Sequence, residues 1–140
     1  MKTDQLTPDE QRRIQEAFEN VPFAHLIGME LGEVTRGVAT LRLAVRDNLR
    51  QNRGVVHGGV TASLIDTAAA FAILTLLEPG QSTTTIDLTI HYLRPLFNGQ
   101  AMARARVLRA GRRLIVVAVD IVDEAENLVA TALTSYLRLA

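Results

Sequence analysis

The fold is decided by residues 52–77, which read Asn-Arg-Gly-Val-Val-His-Gly-Gly-Val-Thr-Ala-Ser-Leu-Ile-Asp-Thr-Ala-Ala-Ala-Phe-Ala-Ile-Leu-Thr-Leu-Leu. Glycines fill the first part of this stretch, and a run rich in Ala, Leu and Ile follows, which favours a helix. We therefore predict a loop that opens into a long central helix over residues 58–77. The first turn of such a helix carries amide N–H groups without partners inside the helix, so Gly58 and Gly59 form a candidate anion or oxyanion site.

Asp66 is the one acidic residue of this predicted helix, and apolar side chains surround it in the sequence. A carboxylate in such surroundings costs free energy unless it has hydrogen-bond partners or a chemical role. Two interpretations follow: Asp66 is a buried polar residue satisfied by Ser63, Thr67 or a water, or it is catalytic. A helix that is apolar on nearly every face must be buried on all sides, which favours a strongly curved antiparallel sheet wrapped around it.

The rest of the chain is predicted to supply one further helix and six strands. Thr7 as N-cap, Pro8 at the first helical position and Glu10 as the partner in a capping box predict an N-terminal helix within residues 1–22, ended by Pro22. Alternation predicts a hairpin with its turn at Gly37, and then four strands over residues 82–93, 99–110, 114–122 and 127–139. Because tight turns join these four strands, we expect them to form an antiparallel meander.

The strand over residues 82–93 alternates polar and apolar side chains, so its two faces are predicted to differ. The polar face is expected to carry Thr83, Thr85, Asp87, Thr89 and His91, and the apolar face Ile86, Leu88, Ile90 and Tyr92. One of these faces should meet the core.

The composition fits a single domain over residues 1–140 with a sizeable core, since 48% of the residues are hydrophobic. Lys and Arg number 15, as do Asp and Glu, so no overall field attracts nucleic acid or an anionic membrane surface. The absence of cysteine excludes disulfides and thiolate metal sites. A polar N-terminus without an apolar signal core, and no apolar run long enough to span a membrane, predict a cytoplasmic protein.

The central stretch also carries a family resemblance. The loop Gly54-Val-Val-His57-Gly58-Gly59, with Asp66 nine residues after the histidine, resembles that of hotdog-fold acyl-CoA thioesterases of the phenylacetic-acid-degradation (PaaI-like) family. The chain is similar to that family over roughly residues 20–140. Further shared features are Tyr92-Leu93-Arg94-Pro95, the Gly111-Arg112-Arg113 turn and a last strand rich in small residues. The resemblance implies an α+β hotdog fold, in which a curved antiparallel sheet wraps around one long central helix.

Four residues acquire catalytic roles from the resemblance, namely Asp66, Gly58, Thr85 and, in the loop before the helix, Gln51. Asp66 matches the family's nucleophile or general base. The Gly58 amide at the helix N-terminus matches the donor that stabilises the oxyanion of acyl transfer. Thr85 is a candidate to orient the attacking water, although a solvated strand threonine is the plainer interpretation.

The loop before the helix supplies the remaining motif residues. Gln51 stands where relatives often have Asn, six residues before the histidine, so the resemblance implies that Gln51 or the adjacent Asn52 supplies the amide donor. His57 and Gly59 are expected to hold the loop or help bind the thioester rather than to act as acid or base.

One dense basic stretch lies between residues 104 and 113. It contains Arg104, Arg106, Arg109, Arg112 and Arg113. The plain interpretation is a solvated strand and turn. The functional interpretation is that some of these arginines, among Arg106, Arg109, Arg112 and Arg113, bind the phosphates of coenzyme A, because Arg matches phosphate geometry.

The leading hypothesis is an acyl-CoA thioesterase that hydrolyses a thioester with a helix carboxylate and a backbone oxyanion hole. No cofactor is expected apart from the coenzyme A of the substrate, and His25 and His91 lack partners at metal-ligand spacing, so no metal site is predicted. Two alternatives remain. One is a hydratase or dehydratase on the same fold, whose relatives usually pair a histidine with a carboxylate, and the other is a non-catalytic acyl-CoA-binding module.

Helix geometry adds an expectation about assembly. Gly58 and Asp66 are eight residues apart, which is about 12 Å along one helix. An oxyanion donor and an attacking group must both lie about 3 Å from one reacting centre, so a single helix cannot provide both. Two antiparallel helices across a two-fold axis place Gly58 of one subunit beside Asp66 of the other. We therefore expect a homodimer with shared sites, or a dimer of dimers (a homotetramer), as the resemblance also implies.

Overall fold

The computed structural model describes residues 4–139, which form one six-stranded antiparallel sheet packed against a long helix. The helices are α1 (Pro8–Glu19), α2 (Pro22–Ile27) and α3 (Gly58–Leu74), with a 3₁₀ turn at Asp47–Leu49. The strands are β1 (Met29–Thr35), β2 (Val38–Ala44), β3 (Ser82–Tyr92), β4 (Gln100–Ala110), β5 (Leu114–Val122) and β6 (Leu128–Leu139). The predicted architecture of a curved antiparallel sheet around one central helix is confirmed.

The core lies between α3 and the inner face of the sheet. Leu64, Ile65 and Ile73 of α3 are fully buried there, against strands whose inward residues alternate with exposed ones. Many of these inward residues are small, which lets the helix approach the sheet closely. They include Ala39, Ala101, Ala103, Ala105, Ala130 and Ala132.

The strand order corrects the predicted four-strand meander. The sheet runs β1-β2-β4-β5-β6-β3, so only β4, β5 and β6 form a meander, while β3 lies at the far edge and pairs with β6. Residues 93–99 carry the chain from β3 to β4, with Leu96 buried and its carbonyl accepting from the Val56 amide at 2.9 Å. This segment is a crossing connection rather than the tight turn that the sequence predicts.

A bulge in β3 corrects the predicted faces of that strand. Its pairing with β6 shifts between Thr85 and Asp87, so that Thr85 faces Tyr136 and Asp87 faces Ser135. Tyr136 is buried against α3, whereas its neighbour Ser135 points to the outer face. The extra residue of a bulge reverses the alternation. Thr85 therefore lies on the helix side of the sheet, and Asp87 does not share its face.

The N-terminal segment contains two helices where the sequence predicts one, and residues 1–3 of the predicted range lie outside the described residues. The Thr7 hydroxyl accepts from the Glu10 amide at 3.1 Å, as an N-cap should. The Glu10 carboxylate does not complete the capping box, because it pairs with Arg36 at 3.0 Å. α1 ends at Glu19, before Pro22. Pro22 instead begins α2, at the first helical position, which suits proline.

Helix α3 ends at Leu74, three residues before the predicted end. Arg13 of α1 donates to the carbonyl oxygen of Leu74 at 3.3 Å, one of the last carbonyls of α3, and to that of Leu77 at 2.7 Å in the segment after the helix. The hydroxyl of Thr75 donates to the Ala72 carbonyl at 2.7 Å. These contacts hold α1 against the C-terminal end of α3.

The expectation that α3 is buried on all sides is wrong for one stripe of the helix. Residues spaced three and four apart along the helix remain accessible in this stripe, and most of them have small side chains. The stripe consists of Gly59, Ala62, Ser63, Asp66, Thr67 and Ala70. Asp66 bonds to β3 and β6, so the stripe lies on the side of α3 that faces the β3 edge of the sheet.

Candidate active site

The carboxylate of Asp66 is held by two hydroxyl groups from neighbouring strands. Thr85 of β3 donates to Oδ1 of Asp66 at 2.8 Å, and Tyr136 of β6 donates to the same oxygen at 2.6 Å. The hydroxyl of Tyr136 also lies 2.7 Å from the backbone oxygen of Asp66. Thr85 and Tyr136 are direct cross-strand partners, so the β3–β6 ladder sets the position of both donors.

The other carboxylate oxygen of Asp66 is free. Within residues 4–139, Oδ2 has no hydrogen-bond or ion-pair partner, and Asp66 is only half-buried. The partners that the sequence offered for a structural carboxylate, Ser63 and Thr67, do not bind it, and the Ser63 hydroxyl donates to the Gly59 carbonyl at 2.8 Å instead. The site thus presents one fixed oxygen and one oxygen open to a ligand.

Tyr136 is the site residue that the sequence does not predict. It is only 3% exposed, and burial raises the pKa of its phenol well above the usual value, with the hydrogen bond to Asp66 raising it further. The phenol therefore stays protonated and remains a donor. A signal was present, because Tyr136 continues the inward positions of β6, Ala130, Ala132 and Thr134, with a polar group that needs a buried partner.

His57 caps the central helix rather than contacting Asp66. Its Nδ1 accepts from the Gly59 amide at 2.8 Å, so the proton of the neutral ring lies on Nε2. Gly59 fits this cap because a Cβ there would lie 2.9 Å from Nδ1. The Gly59 amide is therefore occupied, which leaves Gly58 as the first-turn amide aimed outwards.

Gly58 occupies the first position of α3, where the amide N–H has no carbonyl partner inside the helix. Tyr92 at the end of β3 donates to the Gly58 carbonyl at 2.8 Å and lays its ring beside the Cα atom. A Cβ at Gly58 would lie 3.4 Å from that ring, which is an ordinary contact. The backbone amide, rather than the absence of a side chain, is thus the distinctive group at this position.

Gln51 and Asn52 lie in the turn that precedes the motif. The side-chain oxygen of Gln51 accepts from the Arg53 amide, and its backbone bonds to Val55 and Gly54 shape the loop. The amide nitrogen of Gln51 and the whole side chain of the exposed Asn52 have no hydrogen-bond partner within residues 4–139. The structure leaves both amide donors free.

The five arginines of the basic stretch do not form one group. Arg104, Arg106 and Arg109 pair in register with outward residues of β5 and so lie on the sheet face opposite α3. Arg112 and Arg113 lie in the β4–β5 turn. They meet Arg138 of β6, with Gln81 and Ser82, around a surface pocket of about 340 Å³.

Among residues 4–139, no group of three or more His, Cys, Asp or Glu side chains is arranged to hold a metal ion. Over the same residues, no helix has the length and apolar character needed to cross a membrane.

Comparisons with known proteins identify the family and the fold of the chain. The Thioesterase superfamily model matches residues 53–130, more than half of the chain. The solved structure of the E. coli PaaI protein from the phenylacetic acid degradation operon superimposes with a TM-score of 0.89 at 26% identity, over 97% of each chain.

Two characterised sequence relatives extend the comparison. The chain is 29% identical to the medium/long-chain acyl-CoA thioesterase YigI of Escherichia coli, over 84% of this chain and 86% of that protein. It is 29% identical to the 1,4-dihydroxy-2-naphthoyl-CoA hydrolase of Listeria monocytogenes, over 73% of this chain and 83% of that protein. The chain therefore belongs to the thioesterase superfamily, as a PaaI-like member with the hotdog fold, and is a thioester hydrolase.

Proposed function

We propose that the protein hydrolyses an acyl-CoA thioester to a free acid and coenzyme A, with Asp66 as the reacting carboxylate. The observation that carries this proposal is the Asp66 carboxylate itself, which two hydroxyls fix at 2.8 and 2.6 Å while it remains accessible. Both of the named relatives act on CoA thioesters. A fixed carboxylate beside an open surface suits a base or a nucleophile.

Two routes are open to Asp66. As a general base it takes a proton from water, the water oxygen bonds to the thioester carbon, and collapse of the oxyanion breaks the C–S bond. The thiolate then leaves and recovers the proton. As a nucleophile it attacks the carbon itself and expels the thiolate, and water then cleaves the resulting mixed anhydride. Both routes build negative charge on the carbonyl oxygen, which a backbone N–H stabilises.

The oxyanion donor in this proposal is the Gly58 amide of a second subunit. Within one chain the donor lies about 12 Å from Asp66 along α3, too far for one carbonyl to reach both. The accessible stripe of small residues lets a second α3 approach closely. Strand β3 is an unpaired sheet edge next to this stripe, and its exposed Ile86 and Tyr92 offer apolar area to a partner. These features support a homodimer with two shared sites.

The coenzyme A phosphates are proposed to bind at Arg112 and Arg113. Neither arginine pairs with a carboxylate within residues 4–139, and Arg138 adds a third guanidinium to the same pocket. Arg138 follows Tyr136 by two residues on β6, about 7 Å along the strand, so the pocket adjoins the carboxylate site. Arg106 and Arg109 lie on the opposite sheet face, so the proposal gives the phosphate contact to the arginines of the pocket instead.

The site favours hydrolysis over hydration or dehydration. A hydratase of this fold would pair a histidine with the carboxylate, but His57 uses Nδ1 to cap α3 and has no hydrogen bond to Asp66. A mere binding module would have no use for a carboxylate with a fixed orientation and one free oxygen.

The first test replaces the reacting carboxylate. We expect Asp66→Asn to lower thiol release from acyl-CoA substrates by at least about a hundredfold, because the amide is neither base nor nucleophile, while the protein stays folded. The measurement is turnover over a panel of acyl-CoAs with a thiol-trapping dye. Asp120→Asn is the matched control, since Asp120 also accepts from a threonine, Thr131 at 2.7 Å, but on the outer sheet face. Wild-type turnover in Asp66→Asn would refute the assignment.

The second test removes the Gly58 amide without removing the helix. His57 has φ −59° and ψ 134°, which the residue before a proline adopts readily, and proline suits the first helical position. We expect Gly58→Pro to lower kcat by about 10²–10³, the usual effect of one oxyanion donor. Gly58→Ala keeps the N–H and makes only an ordinary contact with Tyr92, so it should stay active. Equal losses of kcat in both variants would show that activity requires the space around Gly58 rather than its amide N–H.

The third test concerns the arginine pocket. We expect Arg113→Gln and Arg138→Gln to raise KM several-fold for acyl-CoA but not for a short thioester that lacks the nucleotide, because only the former carries phosphates. Arg106→Gln serves as the control from the opposite sheet face. If KM rises equally for the two substrates, the arginines do not bind the nucleotide part of coenzyme A.

A further inference from the structure

The two hydroxyls that reach Asp66 both bind one oxygen, and this asymmetry has a chemical meaning. Thr85 and Tyr136 donate to Oδ1, while Oδ2 has no partner within residues 4–139. A carboxylate oxygen that accepts two hydrogen bonds has less electron density available for a proton or a carbonyl carbon. Oδ2 accepts no hydrogen bond within residues 4–139 and is the oxygen open to a ligand.

We propose that Tyr136 is a positioning residue that, together with Thr85, anchors Oδ1 of Asp66 and so makes Oδ2 the oxygen that reacts. This inference rests on the proposed thioesterase function, to which it adds Tyr136 as a positioning residue and Oδ2 of Asp66 as the reacting atom. It applies to both routes, because Oδ2 would take the proton from water or attack the thioester carbon.

Tyr136 is suited to this role by its own contacts. Its hydroxyl lies 2.7 Å from the backbone oxygen and 2.6 Å from Oδ1 of the same residue, Asp66, so it fixes the side chain relative to its own helix turn. The phenol is buried and stays protonated, as the upward shift of its pKa requires. Rotation of the carboxylate would break this bond and that of Thr85 together.

The side-chain contacts of Asp66 are hydrogen bonds from hydroxyl groups. Within residues 4–139, Asp66 forms no ion pair and no hydrogen bond with Arg, His, Asp or Glu. The two hydroxyl donors are therefore the groups that hold this carboxylate in place.

The test is Tyr136→Phe, assayed for kcat, KM and thermal stability. We expect kcat to fall roughly 10- to 100-fold, the effect of one hydrogen bond to a charged group, with KM within about twofold. Combination with Thr85→Val should lower kcat by more than the product of the two single effects, because each donor alone still holds Oδ1.

Thr75→Val controls for a merely structural loss. It removes a buried hydroxyl from the other end of α3, where Thr75 donates to Ala72 and accepts from the Gly37 amide at 2.7 Å. We expect it to lower thermal stability but to leave kcat and KM unchanged. If Tyr136→Phe behaves in the same way as Thr75→Val, the proposal is overturned.

The remaining outcomes are also decisive. If Tyr136→Phe does not fold, Thr85→Val alone must lower kcat with KM within about twofold, and an unchanged kcat overturns the proposal. If wild-type protein releases no thiol from any acyl-CoA, the proposed function fails and this inference fails with it. If wild type is active, Asp66→Asn is inactive and Tyr136→Phe matches wild type, the proposed function stands and only the role of Tyr136 is refuted.

Discussion

Two hydrogen bonds to one oxygen of Asp66 set the requirements for the rest of the structure. A carboxylate in an otherwise apolar helix costs several kcal/mol without partners, and each hydrogen bond to a charged group contributes about 1.5–3 kcal/mol. The donors come from two strands that must be neighbours, β3 and β6. The chain therefore has to carry β3 past the later strands to the far edge of the sheet. The bulge after Thr85 then turns that hydroxyl towards the helix.

The same arrangement separates the Asp66 carboxylate from the proposed oxyanion donor of its own chain. Placing the carboxylate in the middle of α3 separates it by about 12 Å from the Gly58 amide at the helix start. The sheet ends at β3, so the helix face beside it stays uncovered and carries small residues. We infer that a second copy of the chain supplies its Gly58 amide and covers the accessible stripe of α3. Catalysis and assembly would then depend on the same surface.

The sequence predicts local features of this site well and long-range ones poorly. The composition of residues 58–77 and the isolated acid at Asp66 are enough to predict the central helix and the carboxylate that it carries. The far-edge position of β3 is not predictable in this way, because turn residues show only that the chain reverses and not which strand becomes its neighbour. Alternation also misassigns the face of Thr85, since a one-residue bulge inverts it.

The positions of Tyr136 and of the arginines are further long-range features that the sequence predicts poorly. Tyr136 lies 70 residues from Asp66 in the sequence, and only the β3–β6 register brings the two together. The basic stretch looks continuous in the sequence, but strand alternation sends Arg106 and Arg109 to the outer face and leaves Arg112 and Arg113 in the turn. Proximity along a strand is therefore a poor guide to a shared site, because successive side chains point to opposite faces.

The shared site is tested most directly by mixing two inactive chains, Asp66→Ala and Gly58→Pro, under conditions of subunit exchange. An equal mixture yields half heterodimers, each with one intact site out of two, so the account predicts recovery of about a quarter of wild-type activity. Mass spectrometry would establish that heterodimers have formed. Heterodimers with no activity above that of the two parents would contradict the account, and so would full activity in a wild-type monomer at high dilution.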